Sequence, residues 1–170
     1  MGRAGETWDA WFDTLAPALI LFARQWTGSH ADAEDAVQDA FIRFWRDGRH
    51  RAKDPKAYLF VSVKHVAMDV RRGRLRRERR ESVASRNRSE SQSVFETSLE
   101  RDEWRASVES ALASLSEPQR EVLVLKIWGG LTFPQIATVI GAPANTAASR
   151  YRYALDALRK SLAKDAEVMP

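Results

Sequence analysis

Cysteine is absent from this chain of 170 residues, and so is any long apolar run. Without cysteine the chain forms neither disulfides nor thiolate metal sites. No apolar stretch reaches the roughly 20 residues that a membrane-spanning helix needs. The first residues, from Met1 to Glu6, also lack the apolar stretch of a signal peptide. These absences argue against secretion and membrane insertion, and we expect a cytoplasmic protein.

Motifs for catalysis and metal binding are missing as well. The three histidines, His30, His50 and His65, do not have the spacing of metal ligands. The sequence contains no glycine-rich phosphate loop, no nucleophile elbow and no His-Glu-x-x-His motif. We therefore expect no metal, no cofactor and no enzymatic activity, and an enzyme such as a nuclease is a poor explanation of this chain.

Charge is present in both signs but is unevenly distributed along the chain. The formal net charge is +4, and the isoelectric point is about 9.7. An acidic patch in the first third consists of Asp32, Glu34, Asp35 and Asp39. An arginine run follows, which consists of Arg71, Arg72, Arg74, Arg76, Arg77, Arg79 and Arg80. Because arginine is well suited to phosphate recognition, this pattern favours a nucleic-acid partner.

A polar segment divides the chain into two parts. Residues 82–98 are rich in Ser, Glu, Asn and Gln and poor in apolar side chains. Such a composition buries too little surface to offset chain entropy, so it is typical of a flexible linker. We expect an N-terminal domain at 5–75, a linker at 76–100 and a C-terminal domain at 101–165.

Helical spacing of apolar residues recurs along the chain, whereas strand signals are nearly absent. Apolar residues recur at three- and four-residue steps at Trp11, Leu15, Leu19 and Phe22, and again at Ala36, Val37, Ala40, Phe41 and Phe44. Asp54 followed by Pro55 predicts the start of a further helix, because aspartate caps helices and proline fits the first turn. The sequence therefore predicts an all-α fold with two small helical domains.

The C-terminal part contains clear signals for helix starts and stops. Ser116 and Thr132 are each followed three residues later by Gln, which is typical of a capping box. Gly141 to Pro143 separates a short apolar helix from a second helix that Asn145 can cap. Two helices joined by such a turn form a helix-turn-helix, whose second helix fits the DNA major groove. From spacing alone, a helical hairpin with a basic solvated face is the alternative.

Four blocks in this order resemble the extracytoplasmic-function (ECF) group of bacterial sigma factors. They are the acidic block from Asp32 to Arg46, the helix from Ala57 to Arg72, the arginine run, and the segment from Leu115 through the helix-turn-helix. The resemblance extends from about Trp11 to Leu162. It implies a first domain that binds core RNA polymerase and the −10 promoter element, and a second domain that reads the −35 element.

The resemblance also implies the residues of each interface. The polymerase-facing residues would be Asp35, Gln38, Phe41, Arg43 and Trp45. The −10 residues would be Lys53, Lys56, Lys64, His65, Asp69, Arg71 and Arg72. The −35 residues would be Thr146, Ala148, Ser149, Arg150, Arg152 and Tyr153. The family is commonly held inactive by an anti-sigma factor, which we expect as a further partner beside core RNA polymerase and promoter DNA.

The chain departs from the family pattern at several of these positions. His65 stands where the family usually has Asn, and Tyr58 where it usually has Trp. In the helix-turn-helix, Pro134 with Gln135 replaces a commonly acidic pair, and Ala148 replaces a polar or basic residue. A methyl group can contact thymine but cannot hydrogen-bond a base. The promoter sequence therefore does not follow from the resemblance.

Two other classes of function are compatible with parts of the sequence. A stand-alone helix-turn-helix regulator would explain the C-terminal domain, and it predicts tight operator binding by the protein alone, usually as a dimer. It leaves the acidic block and the helix after it unexplained. A partner-binding adaptor without a DNA role leaves the arginine run and the predicted recognition helix unexplained.

Overall fold

The computed structural model describes residues 8–48, 52–84 and 110–168. The chain divides into two compact units, Met1–Val94 and Phe95–Pro170. Within the described residues the regular structure is helical and contains no strand, so the all-α prediction is confirmed. None of the helices in these ranges combines the length and apolar composition that crossing a bilayer requires.

The first unit contains three helices, α1 (Trp8–Ala23), α2 (His30–Arg43) and α3 (Pro55–Ala84). A single π-helical turn, Phe44–Gly48, continues α2. Ser29 caps α2, and its hydroxyl accepts a hydrogen bond from the Asp32 amide at 3.0 Å. Asp54 caps α3 in the same way, since its carboxylate accepts from the Ala57 amide at 3.0 Å. The helix start predicted at Asp54 and Pro55 is confirmed.

Aromatic rings from all three helices form the core of the first unit. The largest fully buried side chains here are Leu19, Phe22, Val37, Phe41, Phe44, Leu59, Phe60 and Val63. Phe22 of α1 meets Phe60 of α3 edge-on, with ring centroids 5.5 Å apart. Phe12 of α1 meets Phe41 of α2 at 5.2 Å. Edge-to-face pairs of this kind stabilise a core beyond the area that they bury.

Helix α3 extends further along the chain than the sequence prediction allows. It ends at Ala84, so the prediction of a linker from residue 76 is wrong for residues 76–84. Arginine and glutamate have high helix propensities, and neither proline nor glycine occurs in residues 76–84. The side chains of residues 75–81 are exposed, so this extension of α3 stands outside the core. The remainder of the predicted linker, 85–100, lies outside the described residues.

The second unit contains α4 (Glu117–Ile127), α5 (Phe133–Ile140) and α6 (Ala144–Val168). Residues 110–113 before α4 are also helical. The Ser116 amide donates to the Gln119 side chain at 3.2 Å, and the Thr132 amide donates to the Gln135 side chain at 2.8 Å. The Gln135 amide returns a bond to the Thr132 hydroxyl at 3.4 Å. Both predicted capping boxes are therefore confirmed.

Helices α5 and α6 form the predicted helix-turn-helix. Gly141 ends α5 with a left-handed φ of 64°, a conformation that glycine adopts without steric cost. Ala147 and Ala154 of α6 are fully buried, and small side chains permit this close helix packing. Phe133 of α5 contacts Tyr151 of α6, with ring centroids 5.8 Å apart. Leu112, Leu115, Leu123 and Ala154 form the aliphatic cluster beneath them.

The N-terminus of α6 differs from the prediction in one respect. The helix begins at Ala144, and the amides of Thr146 and Ala147 donate to the Pro143 carbonyl at 2.9 and 3.1 Å. The residue whose carbonyl accepts the first helical bonds occupies the cap position, and this residue is Pro143. The prediction that Asn145 caps α6 is therefore wrong, because Asn145 already lies within the first turn.

Candidate functional site

The outward face of α2 combines acidic, amide and apolar side chains. Asp35, Gln38 and Ile42 are exposed and follow one another at three- and four-residue steps, which places them on one side of the helix. Ile42 is a large apolar residue, yet 48% of its surface is exposed to solvent. Arg43 forms an ion pair with Asp39 at 2.7 Å beside this row. The acidic block thus presents a row of accessible groups with an apolar side chain at its end.

Phe41 does not belong to that row. Its ring is fully buried and lies 5.2 Å from the Phe12 ring and 6.3 Å from the Phe44 ring. Its expected place in a polymerase interface is therefore corrected, because a side chain inside the core contacts no partner. Ile42 is the apolar residue that the sequence reasoning missed, although its four-residue step from Gln38 is a signal for it. Trp45, in the π-helical turn, is half-buried.

A second exposed face runs along α3. Tyr58, His65, Asp69 and Arg72 are exposed and recur at steps that keep them on one side of the helix. Tyr58 retains 43% of its exposure. Its ring lies 6.0 Å from the Phe44 ring, and it also covers Gly48, where an added Cβ would lie 2.7 Å from the Tyr58 ring. The core therefore holds one side of an aromatic ring whose remainder faces solvent.

The structure separates other residues of the predicted −10 set from this face. Lys64 is half-buried, and its ammonium lies 5.8 Å from the centroid of the buried Trp26 ring. Arg71, seven residues later, is half-buried on the same side as Lys64. Lys53 is exposed just before α3. Lys56, in the first turn, lines a shallow pocket together with Trp11 of α1. The predicted set therefore occupies several surfaces rather than one.

The third exposed face lies on α6. Ser149, Arg152 and Tyr153 point away from the buried stripe that contains Ala147 and Ala154. Tyr153 is 56% exposed, and the Arg152 guanidinium lies 5.5 Å from its ring centroid. The Ser149 hydroxyl donates to the Thr146 carbonyl at 3.0 Å. These groups can donate hydrogen bonds and offer an aromatic surface at the start of a helix that fits a groove.

Thr146, Ala148 and Arg150 flank this face, and they are half-buried, as Ser149 itself is. Asn145 is exposed in the first turn of α6, four residues before Ser149. It is a second residue whose role the sequence reasoning misassigned, because a capping function was assumed for it. An exposed amide here is able to bond a base edge, since Asn pairs well with adenine.

Metal chemistry finds no support in this part of the molecule. No group of three His, Asp or Glu side chains in 8–48, 52–84 and 110–168 is arranged to hold a metal ion. The three helix faces present hydrogen-bonding, charged and aromatic groups, and Ile42 adds an apolar side chain to the first of them.

Comparison with known families matches both units. Residues 11–81 match the Sigma-70 region 2 family, and residues 105–158 match the Sigma-70 region 4 family. The ECF RNA polymerase sigma factor SigL of Mycobacterium tuberculosis is 32% identical over 156 residues, which cover 90% of this chain and 87% of that protein. The chain belongs to the ECF sigma factor family. It is therefore a sigma factor, a protein that recognises promoters for RNA polymerase.

Other similar proteins agree with this family. The RNA polymerase sigma-E factor of Streptomyces coelicolor is 28% identical, with 95% of this chain and 89% of that protein covered. Among solved structures, the sigma factor RpoE of Bartonella quintana, in complex with the anti-sigma factor NepR, is 27% identical with a TM-score of 0.65, and the match covers 91% of this chain and 95% of that one. The structure of CnrH in complex with the cytosolic domain of CnrY has a TM-score of 0.60 at 25% identity, with coverage of 93% and 88%.

Proposed function

We propose that this sigma factor bridges core RNA polymerase and promoter DNA through the three exposed helix faces. In this scheme the α2 face binds polymerase, the α3 face holds the −10 element, and the α6 face reads the −35 element. The observation that carries the proposal is that all three faces lie inside the segments that match sigma regions 2 and 4. Each face combines exposure with chemistry that suits its assigned partner.

The polymerase surface is proposed to consist of Asp35, Gln38 and Ile42, with Trp45 at its edge. A carboxylate and an amide suit a basic partner surface, and they also orient the contact. Ile42 would be the apolar anchor, since interfaces concentrate binding energy in a few buried side chains surrounded by polar groups. Arg43 would act through its ion pair with Asp39, which fixes the position of both charges at the side of the row.

The −10 surface is proposed to centre on Tyr58 and His65, with Lys53 close by in sequence. An aromatic ring held by the core is a stacking platform for an unpaired base, and imidazole can stack or hydrogen-bond. Duplex opening would then follow from differential binding, because a surface that holds single-stranded DNA better than duplex shifts the equilibrium toward the open form. Capture of an extruded base offsets part of its unstacking cost.

The −35 surface is proposed to include Asn145, Ser149, Arg152 and Tyr153. The N-terminal part of a recognition helix reaches base edges in the major groove. Arginine is the commonest partner of guanine, and asparagine is a frequent partner of adenine. Thr146 and Arg150, at the edge of this face, would position the helix through backbone phosphates.

An anti-sigma factor is the proposed inhibitor of this protein. One structurally similar chain, RpoE of Bartonella quintana, is a sigma factor that was solved in complex with the anti-sigma factor NepR. An inhibitor that covered Ile42 and the neighbouring carboxylate would compete directly with polymerase. Because the proposed partners are core polymerase and promoter DNA, the proposed site of action is the cytoplasm, and the proposed role involves no catalysis by this chain.

The central experiment is transcription in vitro with core polymerase and a library of genomic templates, with mapping of the start sites. Addition of the protein should create a defined set of start sites that share two elements. Gel shifts with and without core enzyme separate this role from that of a stand-alone regulator. Tight promoter binding without polymerase, together with no new start sites, would reject the proposal.

The polymerase surface has a test of its own with a matched control. Asp35→Lys combined with Gln38→Ala should weaken association with core polymerase, and so should Ile42→Ala, while the fold is kept. Asp13→Lys is the control for the charge change, because Asp13 is an exposed carboxylate on a different helix, α1. Equal association by wild type and both face variants would remove α2 from the interface.

A further inference from the structure

Arg74 is placed differently from most of the arginine run. Five of the seven arginines are exposed, whereas Arg71 and Arg74 are half-buried. The Arg74 Nε is shielded from solvent and lies 3.5 Å from a carboxylate oxygen of Glu78, one turn further along α3. The side chain of Arg74 therefore lies partly against the protein itself.

The surface that Arg74 covers belongs to the loop between α1 and α2. A Cβ added at Gly28 would lie 2.3 Å from the Arg74 Nη1, 3.4 Å from its Cζ and 3.5 Å from its Cδ. Gly28 is not one of the glycines with a left-handed backbone in the described residues, so its own conformation does not demand glycine. Glycine is needed at this position because the Arg74 side chain occupies the space of a Cβ.

This contact joins the two helices that carry the exposed faces of the first unit. Gly28 directly precedes Ser29, the N-cap of α2. Arg74 lies on α3, two residues after Arg72, where the exposed face of α3 ends. The α2 face and the α3 face are proposed to bind polymerase and the −10 strand at the same time. Two surfaces that act together bind better when the protein already holds them in the required geometry.

We infer that Arg74 is a positioning residue, which fixes the start of α2 on α3 so that polymerase and the −10 strand can be bound together. It acts through its contact with Gly28 and not through a contact with DNA. This inference rests on the proposed function, since it requires that α2 binds polymerase and that α3 binds the −10 strand.

The test measures binding of single-stranded −10 DNA by the full chain together with core polymerase. The DNA sequence is taken from the start sites mapped with the genomic templates. The variants are Arg74→Gln, Gly28→Ala and their combination. Gly28→Ala keeps every charge of the protein but displaces the guanidinium, which the end of a flexible side chain permits at little cost in stability.

Two control variants match these substitutions. Gly73→Ala also adds a methyl group, at a position where an added Cβ meets no atom. Arg76→Gln removes the same charge as Arg74→Gln, but from the opposite side of α3, because two successive steps along a helix turn it by about 200°. Gly73→Ala should bind the strand as the wild type does. Arg76→Gln combined with Gly28→Ala should show the sum of the two separate effects.

The positioning role predicts that displacing Arg74 is equivalent to removing it. Arg74→Gln and Gly28→Ala should each weaken strand binding by the same factor, roughly 2- to 30-fold, and the combination should be no weaker than either. Association with core polymerase in the absence of DNA should stay close to wild type, because one face by itself needs no alignment with the other. Thermal unfolding of the variants should likewise stay close to wild type.

Salt dependence separates this role from a direct contact between Arg74 and DNA. The slope of log affinity against log salt should keep its wild-type value in Arg74→Gln, whereas loss of one phosphate contact to a single strand would flatten it by about 0.7. A direct contact also predicts that Gly28→Ala, which keeps the guanidinium, does not weaken strand binding.

Three results would overturn the positioning role. The first is a flatter salt slope in Arg74→Gln together with wild-type binding by Gly28→Ala. The second is full additivity of Arg74→Gln and Gly28→Ala, which would show that they act independently. The third is an equal loss of polymerase association and strand binding, which would indicate general destabilisation. Failure of the wild-type protein with polymerase to bind the strand would instead overturn the proposed function, and the positioning role with it.

Discussion

Each of the two units presents an exposed helix face, and the two faces differ in what supports them. In the first unit an aromatic core extends to the surface, so that Phe44 and Gly48 hold one side of the exposed Tyr58 ring. In the second unit an aliphatic core of leucines lies under α6, and the outward groups are mainly hydrogen-bond donors. A supported ring suits an unpaired base, whereas donors on a narrow helix suit a groove. The proposed division between −10 and −35 recognition follows from this contrast.

The largest expected effects come from the two cores themselves. Phe60→Ala should cost the first unit about 3–5 kcal/mol, because it removes a fully buried ring that contacts Phe22. Leu123→Ala should cost the second unit about 2–5 kcal/mol. Chemical denaturation measures the loss in free energy of unfolding for each variant. Amide hydrogen exchange shows which unit loses protection. Loss of protection in both units from either substitution would contradict the description of two separate cores.

The packing of the Tyr58 ring can be disturbed by a substitution at a neighbouring residue, Gly48. Gly48→Ala places a methyl group 2.7 Å from the Tyr58 ring and 3.1 Å from the Phe44 ring. Relief of this overlap should cost about 1–3 kcal/mol of stability, and the displaced ring should bind single-stranded −10 DNA more weakly.

A matched glycine gives the control for this substitution. Gly73 lies within α3 and has open space around the position of an added Cβ, so Gly73→Ala should stabilise the helix by about 0.5–1 kcal/mol. If Gly48→Ala and Gly73→Ala had the same stability and the same affinity for the −10 strand, Gly48 would not be needed to position the Tyr58 ring.

Discrimination at the −35 element should depend on Arg152. Arg152→Ala should lower −35-dependent transcription by the equivalent of about 1–3 kcal/mol, which is the contribution of one good base contact. The free energy of unfolding should change by less than about 0.5 kcal/mol. Binding of a single-stranded −10 probe should be unchanged. Arg159→Ala is the control, because Arg159 pairs with Asp156 at 3.3 Å further along α6. Unaffected transcript levels for Arg152→Ala would exclude it from the contact.

The smallest expected effects concern helix capping in the second unit. Thr132→Ala should cost about 1 kcal/mol, because the Gln135 amide loses its acceptor. Asn145→Ala should cost less than about 0.5 kcal/mol, since Asn145 lies inside the first turn of α6 and does not cap it. Its effect should appear instead in promoter selectivity. Thermal unfolding of the two variants measures the difference, and an equal loss of stability would restore a capping role to Asn145.

Prediction from sequence was most successful where the signal is local. Capping residues act on amides two or three positions away, so Ser116, Thr132 and Asp54 located three helix starts correctly. The apolar stripes that predicted helices also contain Phe22, Val37 and Phe44, which the structure buries in the core. Prediction from sequence failed where one local pattern is compatible with two different structures. The arginine-rich segment after residue 75 is compatible with a solvated coil or with an exposed helix, and it forms the latter as far as Ala84.

The helical class, the helix-turn-helix and the family can be predicted from the chain alone, because periodicity, caps and motif order are properties of the sequence. Which of two neighbouring side chains faces outward depends on three-dimensional packing, as with buried Phe41 beside exposed Ile42, and half-buried Lys64 beside exposed His65. Successive residues on a helix point about 100° apart, and the position of the packing partner selects the buried one. The same reason explains why the exposed face from Tyr58 to Arg72 becomes apparent only when α3 is seen packed against its neighbours.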